Sequence, residues 1–155
     1  MRNVRRWFLS FLVAASALLL LTACPKEPAR VNMVLAASPN VNPDTSGQGL
    51  SVVVRVYQLK DKGRLEAADY NSIWKNDKET LSDDFLDRQE RVIQPGTQEM
   101  LEIKANPMAA YLGVVALFRN PSGDTWRKII RISGKNPKIK ISLSEHNIEL
   151  GSASD

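Results

Sequence analysis

The chain of 155 residues has one cysteine and one histidine. A single cysteine excludes an internal disulfide, so the fold is held by apolar burial. One His and one Cys exclude the ligand clusters that structural and catalytic zinc sites need. Aromatic residues are scarce, at 6%. There is no glycine-rich phosphate loop and no nucleophile-elbow motif. There is also no repeat and no low-complexity block. His146 stands alone near the C-terminus and reads as a turn residue, not a general base.

What is present begins at the N-terminus. MRNVRRW carries Arg2, Arg5 and Arg6 and no acid, and FLSFLVAASALLLL follows. A positive segment, an apolar run and small residues at the exit form a secretory signal peptide, residues 1–23. The run from Trp7 to Leu21 is 15 residues. A spanning helix needs ~20, so a permanent membrane helix is the weaker reading. The exit is Leu21-Thr22-Ala23-Cys24, which resembles the bacterial lipobox. That resemblance implies a diacylglycerol on the Cys24 sulfur, cleavage before Cys24 and an acyl chain on the new amino group. It accounts for an unpaired cysteine in an exported protein better than a buried core thiol does. No other cofactor is implied.

Cleavage changes the charge. The 21 basic residues lose three and the 17 acidic residues lose none, leaving 18 against 17. The basicity therefore belongs mostly to the leader, and no case for nucleic-acid binding remains. Of 155 residues, removing 23 leaves 132, which suits one domain. PKEPAR completes a short polar tether, residues 24–30. Residues 31–150 form the domain, and 151–155 form a frayed tail.

The domain is strand-rich. Val31–Ala37, Leu50–Leu59, Arg88–Ile93, Glu99–Lys104, Tyr111–Arg119, Trp126–Ile132, Lys138–Leu143 and Asn147–Leu150 read as strands. Val52, Val54 and Val56 share one face. Tyr111–Arg119 is apolar on both faces, which predicts a central strand. Arg127 and Arg131 point outward in this reading, and the lysines of KIKISL protect an exposed edge. Between the second and third strands, Leu65–Leu86 reads as two or three short helices. Asp69, Asp77 and Ser82 are N-cap candidates, and breaks are expected near Asn76 and Ser82. Seven or eight short strands predict an all-β antiparallel sandwich, with a barrel as the alternative.

Candidate chemistry is thin. Asp83, Asp84, Asp87 and Glu90 lack the spacing of a calcium loop and read as a solvated helix face. Lys60, Lys62 and Arg64 form a basic turn that either is solvated or meets lipid headgroups. Tyr70, Trp74, Tyr111 and Trp126 either form core beneath a helical flap or line a ligand pocket. The residues thus point to a binding or scaffolding module, not an enzyme. The loop Ser38–Gly49 holds two prolines, two glycines, two asparagines and an aspartate. At this length it is the leading recognition candidate.

The order of LTAC, VVVRVYQLK, ADYNSIWKNDKETLSDDFLDRQERVIQPG and AYLGVVALFRNPSGDTWR resembles the TssJ family, the outer-membrane lipoproteins of type VI secretion. The likeness covers nearly all of the mature chain. It implies a transthyretin-like β-sandwich of two four-stranded sheets with added helices. It implies that the protein fixes the trans-envelope complex to the outer membrane. The partner so implied is the periplasmic C-terminal domain of TssM, with TssL completing the complex. Family members bind TssM through the loop between strands one and two, here Ser38–Gly49. Asn40, Val41, Asn42, Pro43 and Asp44 are the candidate contacts at its tip. Pro25, not aspartate, follows Cys24, which agrees with outer-membrane sorting. The alternative function is a periplasmic small-ligand-binding lipoprotein.

Overall fold

The computed structural model describes residues 29–134 and 137–151. The signal peptide, Cys24, most of the tether and the last four residues lie outside the described residues.

Eight strands form two sheets. They are β1 (Arg30–Ala37), β2 (Val52–Leu59), β3 (Phe85–Ile93), β4 (Gln98–Lys104), β5 (Tyr111–Leu117), β6 (Arg127–Arg131), β7 (Lys138–Ser144) and β8 (Asn147–Gly151). One sheet runs β4-β1-β7-β8 and the other β3-β2-β5-β6. The sheets are separate, so the architecture is a sandwich and not a barrel. All pairings are antiparallel except β1 with β7, where Asn32 faces Lys138 and Ala37 faces Leu143.

Alternation explains the core. Val31, Met33, Leu35 and Ala37 of β1 face inward, with Leu101 and Ile103 of β4 and Ile139, Ile141 and Leu143 of β7. The opposite wall is Val52, Val54 and Val56 of β2 with Leu112, Val114 and Ala116 of β5. Each large side chain buried this way stabilises by about 1.5–3 kcal/mol.

The second face of β2 and β5 is covered by the insertion between β2 and β3. It comprises α1 (Gly63–Ala67), α2 (Tyr70–Leu81) and a 3₁₀ turn, Ser82–Asp84. Asp69 caps α2 by accepting the Ser72 N–H at 3.0 Å. Ile73, Asp77 and Leu81 recur every four residues and face the sheet. Leu65 of α1 sits over Gly113, where a Cβ would lie 2.3 Å from its Cδ2. Only the missing side chain permits that approach.

Asn76 leaves helical geometry (φ −138°, ψ 48°) and kinks α2. The kink deprives carbonyls of the preceding turn of intrahelical donors. Arg55 of β2 donates to two of them, Ile73 at 3.1 Å and Trp74 at 3.2 Å. Beside it Asp77 Oδ2 accepts from Tyr57 Oη at 2.8 Å and Arg88 Nη1 at 2.5 Å. Arg55 also pairs with Glu90 at 2.8 Å. Burial alone would raise the Asp77 pKa, but the Arg88 and Tyr57 hydrogen bonds outweigh it and hold it below the usual carboxylate range. This cluster locks the helices onto the sheet.

The structure corrects several expectations. Phe85 and Leu86 begin β3 and do not end a helix, because Ser82 turns the chain with φ +46°. Asp87 and Glu90 therefore lie on a strand, not a helix face. The KIKISL lysines are not at an edge, since β7 sits between β1 and β8. They project from the uncovered face of an interior strand. Trp74 is 51% exposed and is not core, because the neighbouring Ile73 holds the inward position on the Ile73-Asp77-Leu81 stripe. Arg127 is not solvated. Its guanidinium lies 4.7 Å from the Trp126 ring and donates to the Ala68 carbonyl under the insertion.

Strand direction gives the sandwich two poles. β1 starts at one pole, where the tether would enter, and ends at the other, where the loop 38–51 begins. The β3–β4 turn, the β5–β6 loop and the β7–β8 turn share the loop's pole, called upper here. The turn after β2, the β4–β5 loop and the start of β7 lie at the lower pole.

Replacing Asp77 by Ala leaves Arg55, Arg88 and Tyr57 without their shared acceptor. Urea unfolding should show a loss of about 2–3 kcal/mol. Because the folded pKa of Asp77 is depressed, its contribution is present above about pH 4 and is lost as pH falls through the folded value. Asp77→Asn should therefore show a shallower loss of stability between about pH 5 and pH 2 than the parent chain.

Candidate functional site

The loop 38–49 is built as a fixed base carrying a free tip. Ala37 donates to the Thr97 carbonyl at 2.9 Å, and Gly96 donates to Ser38 at 3.1 Å. These bonds tie the loop's start to the β3–β4 turn. Gly49 passes so close to Pro39 that a Cβ would lie 2.2 Å from the Pro39 oxygen. Val41 is fully buried in the core, and its carbonyl accepts from Leu50 N–H at 2.9 Å.

Asn42 is the centre of the base. It is 4% exposed, with φ +50°, a conformation Asn tolerates better than most residues. Its N–H donates to the Glu145 carbonyl at 2.8 Å, in the β7–β8 turn. Its Nδ2 donates to the Ser51 carbonyl at 2.8 Å, just before β2. Its Oδ1 accepts the Arg119 N–H at 2.8 Å, just after β5. One residue thus joins three other segments, its side chain holding two of them and its backbone N–H the third. Asn40 adds a bond from Nδ2 to the Glu145 carboxylate at 2.7 Å. Thr125 closes the ring, donating from Oγ1 to the His146 carbonyl at 2.7 Å.

The tip is Thr45–Gln48, which is exposed. Asp44 Oδ1 organises it, accepting Ser46 Oγ at 2.7 Å, Ser46 N–H at 2.8 Å and Gln48 N–H at 3.0 Å. The Ser46 hydroxyl and N–H, with Gln48 and Arg119, hold the Asp44 carboxyl below its usual range. The tip therefore presents an ionised, pre-shaped turn.

The five candidate residues divide accordingly. Asn40, Pro43 and Asp44 reach the surface, while Val41 and Asn42 form the buried footing. The tip itself lies one step further along the chain than the sequence placed it. Glu145, Arg119 and Ser51 escaped the sequence reading. Each is drawn in by a long-range bond, and no local pattern marks it. Cys24 lies outside the described residues.

The remaining candidates do not converge on a reaction centre. His146 packs edge-on to Phe118, with ring centroids 6.4 Å apart, and its buried Nδ1 has no hydrogen-bond partner among the described residues. Among the described residues no group of three or more acidic, His or Cys side chains is placed to hold a metal. Trp126 and Tyr70 pack against each other at 5.3 Å, and Tyr70 donates to the Phe118 carbonyl at 2.5 Å. These aromatics are packing elements. An open cleft of about 500 Å³ lies elsewhere, at the lower pole, lined by Gln58, Asp87, Lys104 and Asn106 among others, with no aromatic residue.

With this geometry in place, comparison with known proteins identifies the family. The model of the type VI secretion lipoprotein family (VasD, EvfM, TssJ, VC_A0113) matches residues 29–152. The chain belongs to that family. The crystal structure of the type VI lipoprotein TssJ1 from Pseudomonas aeruginosa is similar, with 29% identity over 83% of this chain and 98% of that one, TM-score 0.77. A chain of a type VI membrane complex is 29% identical over 80% of this chain and 98% of its own, TM-score 0.74. A chain from the structure described as the TssM C-terminal domain from EAEC is 26% identical over 80% and 98%, TM-score 0.70. No individually curated protein matches the sequence.

Asn42→Ala removes a buried amide and leaves the Arg119 N–H and the Ser51 carbonyl without their partner. Thermal unfolding should register about 2 kcal/mol of destabilisation. Asn42→Gly should recover only the backbone part, because it restores the positive φ and not the side-chain bonds.

Proposed function

We propose that this type VI secretion lipoprotein fixes the trans-envelope complex to the outer membrane. Acyl chains on Cys24 hold it to the periplasmic face, and the loop 38–49 binds the periplasmic C-terminal domain of TssM, with TssL completing the assembly. Membership of a structural lipoprotein family of the secretion machine supports a scaffolding role and not an enzymatic one. Likeness to a chain of a type VI membrane complex, and to one from a TssM C-terminal domain structure, supports the choice of partner.

The observation that carries this reading is the loop itself. Its base is fastened by Asn42 to three other segments, and its tip is exposed and ordered by Asp44. A pre-ordered tip loses little conformational entropy on binding. Asn40, Pro43, Asp44 and Thr45–Gln48 form the contact surface. Val41 and Asn42 set its shape from below. The same end of the sandwich lies one strand length from the tether, about 26 Å for the eight residues of β1. The loop thus faces the periplasm while the anchor faces the membrane.

Replacing Thr45–Gln48 by a short Gly-Ser link should weaken binding of the purified TssM domain by about 100-fold or more, with the unfolding midpoint unchanged. Binding at parental affinity would remove the loop from the interface. Cys24→Ser should leave partner binding intact and abolish secretion, because the domain would no longer be held at the membrane. Normal secretion by that variant would overturn the lipid anchor.

A further inference from the structure

The contact surface assigned to the loop is small: Asn40, Pro43, Asp44 and Thr45–Gln48. A stable interface takes roughly 20–30 residues and ~800 Å² from each side. Its binding energy concentrates in a few central anchors, often Trp or Tyr. The loop supplies neither the area nor an aromatic residue. The other segments at the upper pole, Asn120–Asp124 and Glu145–Asn147, carry no exposed large apolar side chain. A partner seated on the loop must therefore also rest on an outer face of the sandwich.

One outer face continues the loop directly. On the sheet β3-β2-β5-β6 the row nearest the loop is Ser51 beside Gln94, with Ser51 Oγ donating to Gln94 Oε1 at 2.7 Å. The Ser51 carbonyl already accepts from Asn42 Nδ2. The next row is Val92, Val53 and Leu117, paired across β3, β2 and β5. It carries no charge. Val92 is 55% exposed, and Val53 and Leu117 are half-buried. In the row below, Glu90 and Arg55 neutralise each other at 2.8 Å.

Trp74 closes this shelf from below. Arg55 Nη1 holds its carbonyl at 3.2 Å, so α2 crosses the sheet at the Arg55 row. Past the kink, α2 folds back along Ser72, whose carbonyl accepts from Thr80 Oγ1 at 3.2 Å. That side faces the lower pole, because Asp77 there meets Tyr57 and Arg88, one row below Arg55 and Glu90. Successive helical residues turn by about 100°, so Ser72 and Trp74 lie on opposite flanks of the inward Ile73. Trp74 thus faces the upper pole. It is the only exposed aromatic side chain among the described residues. Rows on one face are ~7 Å apart, which puts Trp74 ~14 Å from Ser51, within the span of one standard interface. The Lys75 ammonium, 5.6 Å from the Trp74 ring, and the exposed Arg119 give the apolar centre a polar rim. The other outer face offers Met100 in a row that ends in Lys140, with no aromatic residue.

We propose that the shelf of Val53, Val92, Leu117 and Trp74 is the second half of the partner interface, with Trp74 as its anchor against an apolar surface of the TssM C-terminal domain. The loop 38–49 holds the first half, so the proposal rests on the reading of the loop given above. The helical insertion then has a role in recognition, since it carries the anchor.

The test uses the acylated chain in detergent, grown with 5-fluorotryptophan. Removal of the leader leaves Trp74 and Trp126 as its two tryptophans. Unlabelled TssM C-terminal domain should shift the fluorine resonance of Trp74 and abolish its solvent isotope shift in D₂O. Trp74→Ala and Val92→Lys should each weaken binding at least about tenfold, with the unfolding midpoint unchanged, because both side chains are exposed. Met100→Ala should bind as the parent does. Parental affinity in both shelf variants, with the Thr45–Gln48 replacement still losing binding, would overturn the shelf and leave the loop standing. Parental affinity in all three would overturn both. A Trp74 resonance that moves with chain concentration alone, and not with the TssM domain, would make the shelf a contact between copies of this chain and overturn the proposal.

Discussion

The upper pole depends on one buried amide. Asn42 is the point at which the loop 38–49, the approach to β2, the end of β5 and the β7–β8 turn meet. A buried amide of this kind stabilises only when its polar atoms find partners, and here Nδ2, Oδ1 and the backbone N–H each have one. The left-handed backbone at Asn42 turns Val41 into the core and Pro43 back to the surface. The loop's shape therefore follows from the sandwich beneath it and is not an independent property of the loop.

The second constraint is direction. β1 pairs with β4 on one side and β7 on the other, so it is an interior strand that runs the height of the sandwich. Its start is tied to the tether and its end to the loop. Under the proposed function, that rigid ladder would hold the lipid anchor at one end and the partner at the other apart. This suits a component that joins a membrane to a larger assembly. The helical insertion covers the outer face of β2 and β5, fixed by the Asp77, Arg55, Arg88 and Tyr57 cluster.

Much of this was legible from residue patterns. β1, β4 and β7 alternate cleanly, β5 was readable as a strand apolar on both faces, and Asp69 caps α2 as its position suggested. The helical break at Asn76 was readable because Asn and Asp compete for backbone bonds. Trp74 was misread because the inward stripe of α2 is Ile73, Asp77 and Leu81, and the charged Asp77 hides that stripe from an apolar pattern. Arg127 was misread because strand alternation says which face a residue occupies, not that a helix covers that face. The loop stood out by composition. Its division into a buried footing and an exposed tip did not, because that division rests on Glu145, Ser51 and Arg119, brought together only by the fold.

The central claim is that the ordered tip of the loop 38–49 is where the partner sits. Hydrogen exchange on the chain alone and saturated with the TssM C-terminal domain tests it most directly. The account predicts slowed exchange in Thr45–Gln48, extending to the adjoining Arg119 and Glu145 segments, with the lower pole unchanged. Protection centred on α2 or the lower pole, with the amides of Thr45–Gln48 exchanging as in the free protein, would contradict it.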